Sequence, residues 1–177
     1  MKKTRLLLLA GVVSAALLLA STTTDYDHSA NFSKYKTYSW TSVSVQDPLW
    51  KDRISMAIDS QLTAKGWQKV ASGGDASIVA VGSTKTEQTL DTWYDGGFGG
   101  GWFHRGWWGG GPGFATTTVE NTPVGTLHVD IFDWQTKKVI WHGSVSDTLS
   151  GDPEKNEKKL DKGVANLFKK FPPPEKG

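Results

Sequence analysis

Two runs in the last third of the chain alternate between apolar and polar residues, and that pattern commits the molecule to a sheet with one buried face. In residues 126–133, Leu127, Val129 and Ile131 fall on one side, and His128, Asp130 and Phe132 on the other. Residues 139–149 repeat the pattern through Val139, Trp141, Gly143 and Val145. Successive strand side chains point to opposite faces, so each run reads as a half-buried strand. The short polar link 134–138 makes the two a hairpin. A sheet with one apolar face needs a second layer to cover it.

Two amphipathic helices supply that layer. Asp47-Pro48 offers an N-cap with proline at the first helical position, Trp50, Ile54, Ala57, Ile58 and Leu62 recur at three-to-four spacing, and Gly66 ends the run, which predicts a helix over 49–65. Asp152-Pro153-Glu154 opens a second helix with the stripe Leu160, Val164, Leu167, Phe168 and Phe171, and prolines 172–174 forbid its continuation. Residues 22–27 and 36–40 are β-prone and separated by the turn formers Ser29, Asn31 and Ser33, which reads as an opening strand pair. Residues 67–70, 76–92 and 115–120 are further strand candidates, the polar second half of 76–92 leaving the core. The expected fold is α+β: an antiparallel sheet with both helices packed on one face, in the order strand-strand-helix-strands-helix.

There is no cysteine, so no disulfide framework, thiolate zinc site or cysteine nucleophile is available. The chain opens with Lys2, Lys3 and Arg5 followed by an apolar stretch over 6–20, the layout of a secretion signal and too short for a membrane span of roughly 17–25 residues. Cleavage after Ala20 is the expectation, leaving 21–177 as one domain, of a size that buries about 70% of its unfolded surface. Residues 1–20 hold three of the 20 Lys and Arg and none of the 18 Asp and Glu, so the remainder is near neutral. Nucleic acid is therefore not an expected partner, since that binding rests on clustered cations. The Lys-rich stretch 155–170 is interleaved with acids and reads as a solvated helix face.

Several segments together resemble a bacterial envelope family known as domain of unknown function 4136. They are Asp25-Tyr26-Asp27, the run from Asn31 and Phe32 through Tyr35, Tyr38 and Trp40, Gly125-Thr126-Leu127 leading to Asp130, Val139-Ile140-Trp141, residues 146–149 with 152–155, and the close 167–172. The resemblance implies exported α+β proteins, often lipoproteins, and carries no activity, catalytic residue or cofactor. A lipid-modified cysteine usually follows the signal in such proteins. Ser21 stands there instead, and serine cannot take the thioether lipid.

Residues 93–114 are the most biased part of the chain: ten of its 20 glycines lie among Trp93, Tyr94, Phe98, Trp102, Phe103, Trp107, Trp108 and Phe114. Each aromatic buries about 150–250 Å² when packed, and eight left bare would exceed the few hundred Å² of apolar patch that a monomer tolerates. Either the segment is a low-complexity insert between strands or these rings meet a partner. Candidate partners are another envelope protein, a membrane surface or a glycan, because indole and phenol join an apolar ring to a polar atom. A Gly-rich coil of this length spans roughly 26 Å.

Alternation places His128 and His142 on one outer face near Asp130, which is an incomplete zinc set and reads as the solvated side of a strand. Asp25 and Asp27, at i, i+2 spacing, read as a solvated strand end. No Gly-x-Ser-x-Gly elbow, Ser-x-x-Lys or P-loop occurs. The expectation is a non-catalytic exported protein of the cell envelope, periplasmic or membrane-associated, with no cofactor and no metal, presenting the aromatic segment to a partner. The alternatives are an envelope enzyme whose site is not legible in sequence, and a structural assembly subunit.

Overall fold

The computed structural model describes residues 20–94 and 115–174. In chain order the elements are β1 (Ser21–Tyr26), a 3-10 turn (Phe32–Lys34), β2 (Thr37–Ser44), α1 (Pro48–Ala64), β3 (Gln68–Lys69), β4 (Ala76–Tyr94), β5 (Ala115–Asp133), β6 (Val139–Thr148) and α2 (Pro153–Leu167). The strands form one sheet in the order β1-β6-β5-β4-β2-β3. The two helices pack against each other on one face, α1 over β2 and β3, α2 over β6 and β1. The signal-like residues 1–19 lie outside the described residues.

Both helices start as their sequences dictate. Asp47 accepts a hydrogen bond from the Leu49 backbone N–H and Asp152 from those of Glu154 and Lys155, each ahead of a proline in the first turn. Most of the predicted stripes are buried: Ile54, Ala57, Ile58 and Leu62 on α1, Val164 and Leu167 on α2, and Phe168 and Phe171 just beyond it, while Trp50 and Leu160 are half-buried. Gly66 takes the left-handed φ of 84° that ends the first helix.

The expectation of an antiparallel sheet needs correction on one side. β5 and its neighbours β4 and β6 are antiparallel, but β2 runs parallel to both β4 and β3. The cause is α1. Its 17 residues rise about 1.5 Å each, about 25 Å in all, which returns the chain to the end of the sheet where β2 began. The next strand must then repeat the direction of β2, the usual outcome of a strand-helix-strand crossover.

The expected opening strand pair is also overturned. β1 pairs with β6, and β2 lies three strands further on beside β4. The connection crosses the end of the sheet instead of turning back, and it buries Phe32 and Tyr35 there. These two rings join Trp67, Trp141, Phe168 and Phe171 in a set of edge-to-face, tilted and stacked contacts with centroids 5.0–6.1 Å apart, which fills that end of the core.

Residues 115–120 and 126–133, read as separate strands, are one continuous β5. Pro123 lies within it opposite Thr86 and gives up no bond to β4, because its carbonyl, and hence its nitrogen, faces the β6 side, where it accepts from the Leu149 N–H. The last β5–β6 pair is Val124 opposite Thr148. From Thr86–Pro123 onward, nine successive β4–β5 pairs run to Tyr94–Ala115 with no third strand among the described residues. At about 3.3 Å per residue the two strands project about 30 Å from the body. Exposure of residues 83–89 matches the expectation that this half leaves the core.

Candidate functional site

Two features distinguish the end of the body from which the ribbon leaves. The first is the ribbon itself. It is rich in threonine, with Thr86, Thr89 and Thr92 on β4 and Thr116, Thr117, Thr118 and Thr122 on β5. A β-branched side chain favours an extended backbone without needing a core, and continuity with the main sheet supplies the support that an isolated two-stranded hairpin lacks. Of the sequence-predicted contact residues, Trp93 and Tyr94 end β4, their backbones opposite Thr116 and Ala115. They belong to the strand and not, as expected, to the loop. Phe98, Trp102, Phe103, Trp107 and Trp108 lie outside the described residues. The chain that contains them leaves from Tyr94 and returns at Ala115, so both its ends are held together at the far end of the ribbon.

The second feature is a hollow of about 300 Å³ at the ribbon's root, between the helices and the sheet. Trp50 and Ile54 of α1, Leu160 of α2, and Leu127, Val145 and Leu149 wall it. Both helices begin at this end of the sheet, so Asp47 before α1 and Asn156 in the first turn of α2 stand at the rim. Gly82 and Gly163 line it as well and allow a close approach: a Cβ at Gly163 would lie 3.1 Å from a Val145 methyl, and one at Gly82 3.3 Å from a Val45 methyl, so either would push on its neighbour. The core is thus filled by six aromatic rings at one end and open at the other.

The rim is polar and internally paired. Lys159 lies 3.6 Å from Asp147 and donates to the Thr148 carbonyl at 2.7 Å. Asn156 accepts from the Ser150 N–H and donates to the Ser150 carbonyl, both at 2.8 Å, which fixes the link between β6 and α2. Nothing in the sequence marked this hollow, because its lining comes from seven separate elements and links, and its glycines are scattered along the chain.

The chemically versatile side chains lie elsewhere. His128, Asp130 and His142 share the opposite, uncovered face of the sheet, as the alternation predicts. His142 Nδ1 is 2.5 Å from Asp130 Oδ1, and the two imidazoles stack with centroids 6.0 Å apart. Asp25 is the direct cross-strand partner of His142 on β1, but its carboxylate accepts from the Tyr26 N–H. Among the described residues no three His, Asp or Glu side chains converge as a metal set. Asp27 is not on β1 with Asp25, as expected from the sequence. The strand ends at Tyr26 and Asp27 turns back to accept from the Ser29 hydroxyl and N–H, which lowers its pKa below the usual carboxylate range. Among the described residues, His128 and His142 are therefore on the opposite face of the sheet from the hollow, whose lining holds no histidine.

Two carboxylates organise the packed end. Asp133, buried, accepts from Lys34 Nζ and the Tyr35 hydroxyl at 2.9 Å and from the backbone N–H groups of Gln135 and Thr136. Lys34 first, then the Thr136 N–H, hold its pKa far below the ordinary value. Asp59 accepts from the Tyr38 hydroxyl, Trp40 Nε1 and Lys69, and burial followed by that carboxylate pushes the Tyr38 hydroxyl well above the usual tyrosine pKa. Tyr35, Tyr38 and Trp40 all belong to the sequence segment that carries the family resemblance, and each has a structural role.

Comparison with known proteins bears on family and fold. A family model described as Domain of unknown function (DUF4136) matches residues 22–173. No curated protein matches the sequence. Among solved structures, a PDZ domain protein from Parabacteroides distasonis is similar with TM-score 0.55 and 14% identity, over 89% of this chain and 36% of that one. The chain thus spans about a third of that protein's length. A PelC dodecamer structure from Paraburkholderia phytofirmans is similar with TM-score 0.50 and 12% identity, over 85% of this chain and 95% of that one. At such identities the likeness is one of fold.

Proposed function

The chain therefore belongs to the DUF4136 family, and from that premise we propose a non-catalytic, exported protein of the cell envelope that uses its β4–β5 ribbon to hold an aromatic, Gly-rich segment against a partner beyond its own body. The observation that carries the reading is the nine-pair ribbon, exposed at residues 86–89 and 117–121, ending where residues 95–114 begin and end. An insert of no consequence needs no 30 Å support. Export rests on the basic start and apolar stretch of residues 2–20.

The test compares the protein with a variant whose residues 95–114 are replaced by a Gly/Ser linker of equal length. Both are sedimented with lipid vesicles, peptidoglycan and envelope extract. Loss of co-sedimentation by the variant with any one of these is the expected result, and equal behaviour with all three would sink the proposal. Export has its own readout: the intact mass of protein recovered from the periplasm is expected to lack residues 1–20, and retention of Met1 would contradict it.

A further inference from the structure

We propose that the hollow at the ribbon's root is the receptor for the aromatic segment of a second copy of this chain, so that the protein assembles head to tail, arm into hollow. The inference rests on the reading of the ribbon as a presenting arm and names what that arm reaches. Three observations converge on it. The first is fit: an opening of about 300 Å³ walled by Trp50, Ile54, Leu127 and Leu160 accepts an aromatic side chain, and residues 95–114 supply Phe98, Trp102, Phe103, Trp107, Trp108 and Phe114.

The second is reach. Tyr94 and Ala115 are paired, so the middle of the segment, near His104 and Arg105, is about ten residues from either anchor. Ten residues extend at most about 33–36 Å, and a Gly-rich chain of that length spans about 16–19 Å on average. The molecule's own hollow lies about 30 Å back along the ribbon. Filling it in the same copy would stretch the segment almost straight, whereas a neighbour's hollow can meet the arm without that cost.

The third is charge. The carboxylates of Asp47 and Asp147 stand at the rim beside a single ammonium, Lys159. Arg105 lies in the middle of the segment between Trp102-Phe103 and Trp107-Trp108, so rings entering the hollow would bring a guanidinium to an acidic rim. Because the two surfaces differ, the contact is heterologous, and it closes into rings or runs on as filaments according to its rotation.

Complementation tests this. One variant fills the hollow (Leu160→Trp, or independently Val45→Phe) and keeps the arm, while the other carries the Gly/Ser arm and keeps the hollow. Sedimentation velocity over a concentration series is expected to show self-association of the unmodified protein, monomers for each variant alone, and a 1:1 complex, no larger, when the two are mixed. A monomeric unmodified protein throughout the series, or self-association of both filled variants at the unmodified level, would overturn the inference. A second measurement avoids any misfolding of the filled variants: a peptide of residues 94–115, titrated onto the Gly/Ser-arm protein, is expected to bind saturably, and absence of binding counts against the receptor. If self-association is absent while the Gly/Ser arm still abolishes sedimentation with vesicles or peptidoglycan, this inference falls and the presenting arm stands. If the arm changes nothing in either assay, both fall.

Discussion

At the scale of single residues, the packed end of the molecule depends on Asp133, where a lysine, a tyrosine and two backbone N–H groups converge on one carboxylate. Hydrogen bonds to a charged group contribute about 1.5–3 kcal/mol, and Asp133→Ala is expected to cost about that much at neutral pH, since it strands the buried Tyr35 hydroxyl. The exposed half of the Lys34 ion pair adds little. The folded-state pKa of Asp133 is depressed, so the folded protein holds fewer protons here than the unfolded chain. The stabilisation is complete above the ordinary aspartate value of about 3.9 and is lost as pH falls through and below it. Urea melts of the two proteins should therefore differ most near neutrality and converge in acid; a gap that widened in acid would refute the assignment. Gly143 gives a steric counterpart. A Cβ there would overlap the Trp141 ring and lie 2.8 Å from Leu167, while nothing stands within 4 Å of Gly151. Gly143→Ala is expected to cost about 1–3 kcal/mol by overpacking, and Gly151→Ala to leave the thermal midpoint nearly unchanged.

At the scale of elements, the ribbon is separable from the body. None of the buried core residues falls between Thr86 and Pro123 among the described residues. Joining those two strands by an Asn-Gly turn in place of residues 87–122 is expected to preserve the circular dichroism and cooperative melting of the body while removing all arm-dependent contact. Collapse of the melting transition would show that the arm supports the core. The helices and the β5–β6 hairpin were legible in the sequence because their signals are local: caps, a stop glycine, a short polar link and a face-setting alternation. Residues 115–120 and 126–133, read as separate strands, are continuous because the nitrogen of Pro123 faces the side where β6 ends and gives up no bond to β4. Val139, expected inside, is 45% exposed and Ile140 is buried in its place, because a register shift beside Phe132 turns the start of β6 over. The partner of β1 was not legible, since it lies more than a hundred positions away on β6, and the direction of β2 relative to β4 follows from the return path of α1 and not from any pattern within β2 itself. The aromatic segment stood out by composition alone, while the hollow required the fold to bring its walls together.

At the scale of the whole molecule, the body has two unlike ends, one closed by interlocking rings and one left open beside the arm, with both helices starting at the open end. The segments that carry the family resemblance fall at both ends, residues 31–40 and 167–172 at the closed one and Gly125, Leu127, Asp147 and Leu149 at the open one, and they conveyed a fold without conveying a site because the resemblance carries no activity. The strand order carries a further consequence, for time instead of shape. Ribosomes deliver β1 first, yet every ladder bond it makes is to β6, which follows more than a hundred residues later. The chain through residue 146 must emerge before β1 can be locked in place, so pairing over that separation is slow to arrive. A chain ending at Lys138 is expected to be cut by protease within residues 21–26, and one extended through α2 to resist; equal resistance would mean that β1 finds another partner first. Until the β5–β6 hairpin is made, β1 has no partner among the described strands, and the stretch of chain that leads into it stays free to be drawn through a narrow passage.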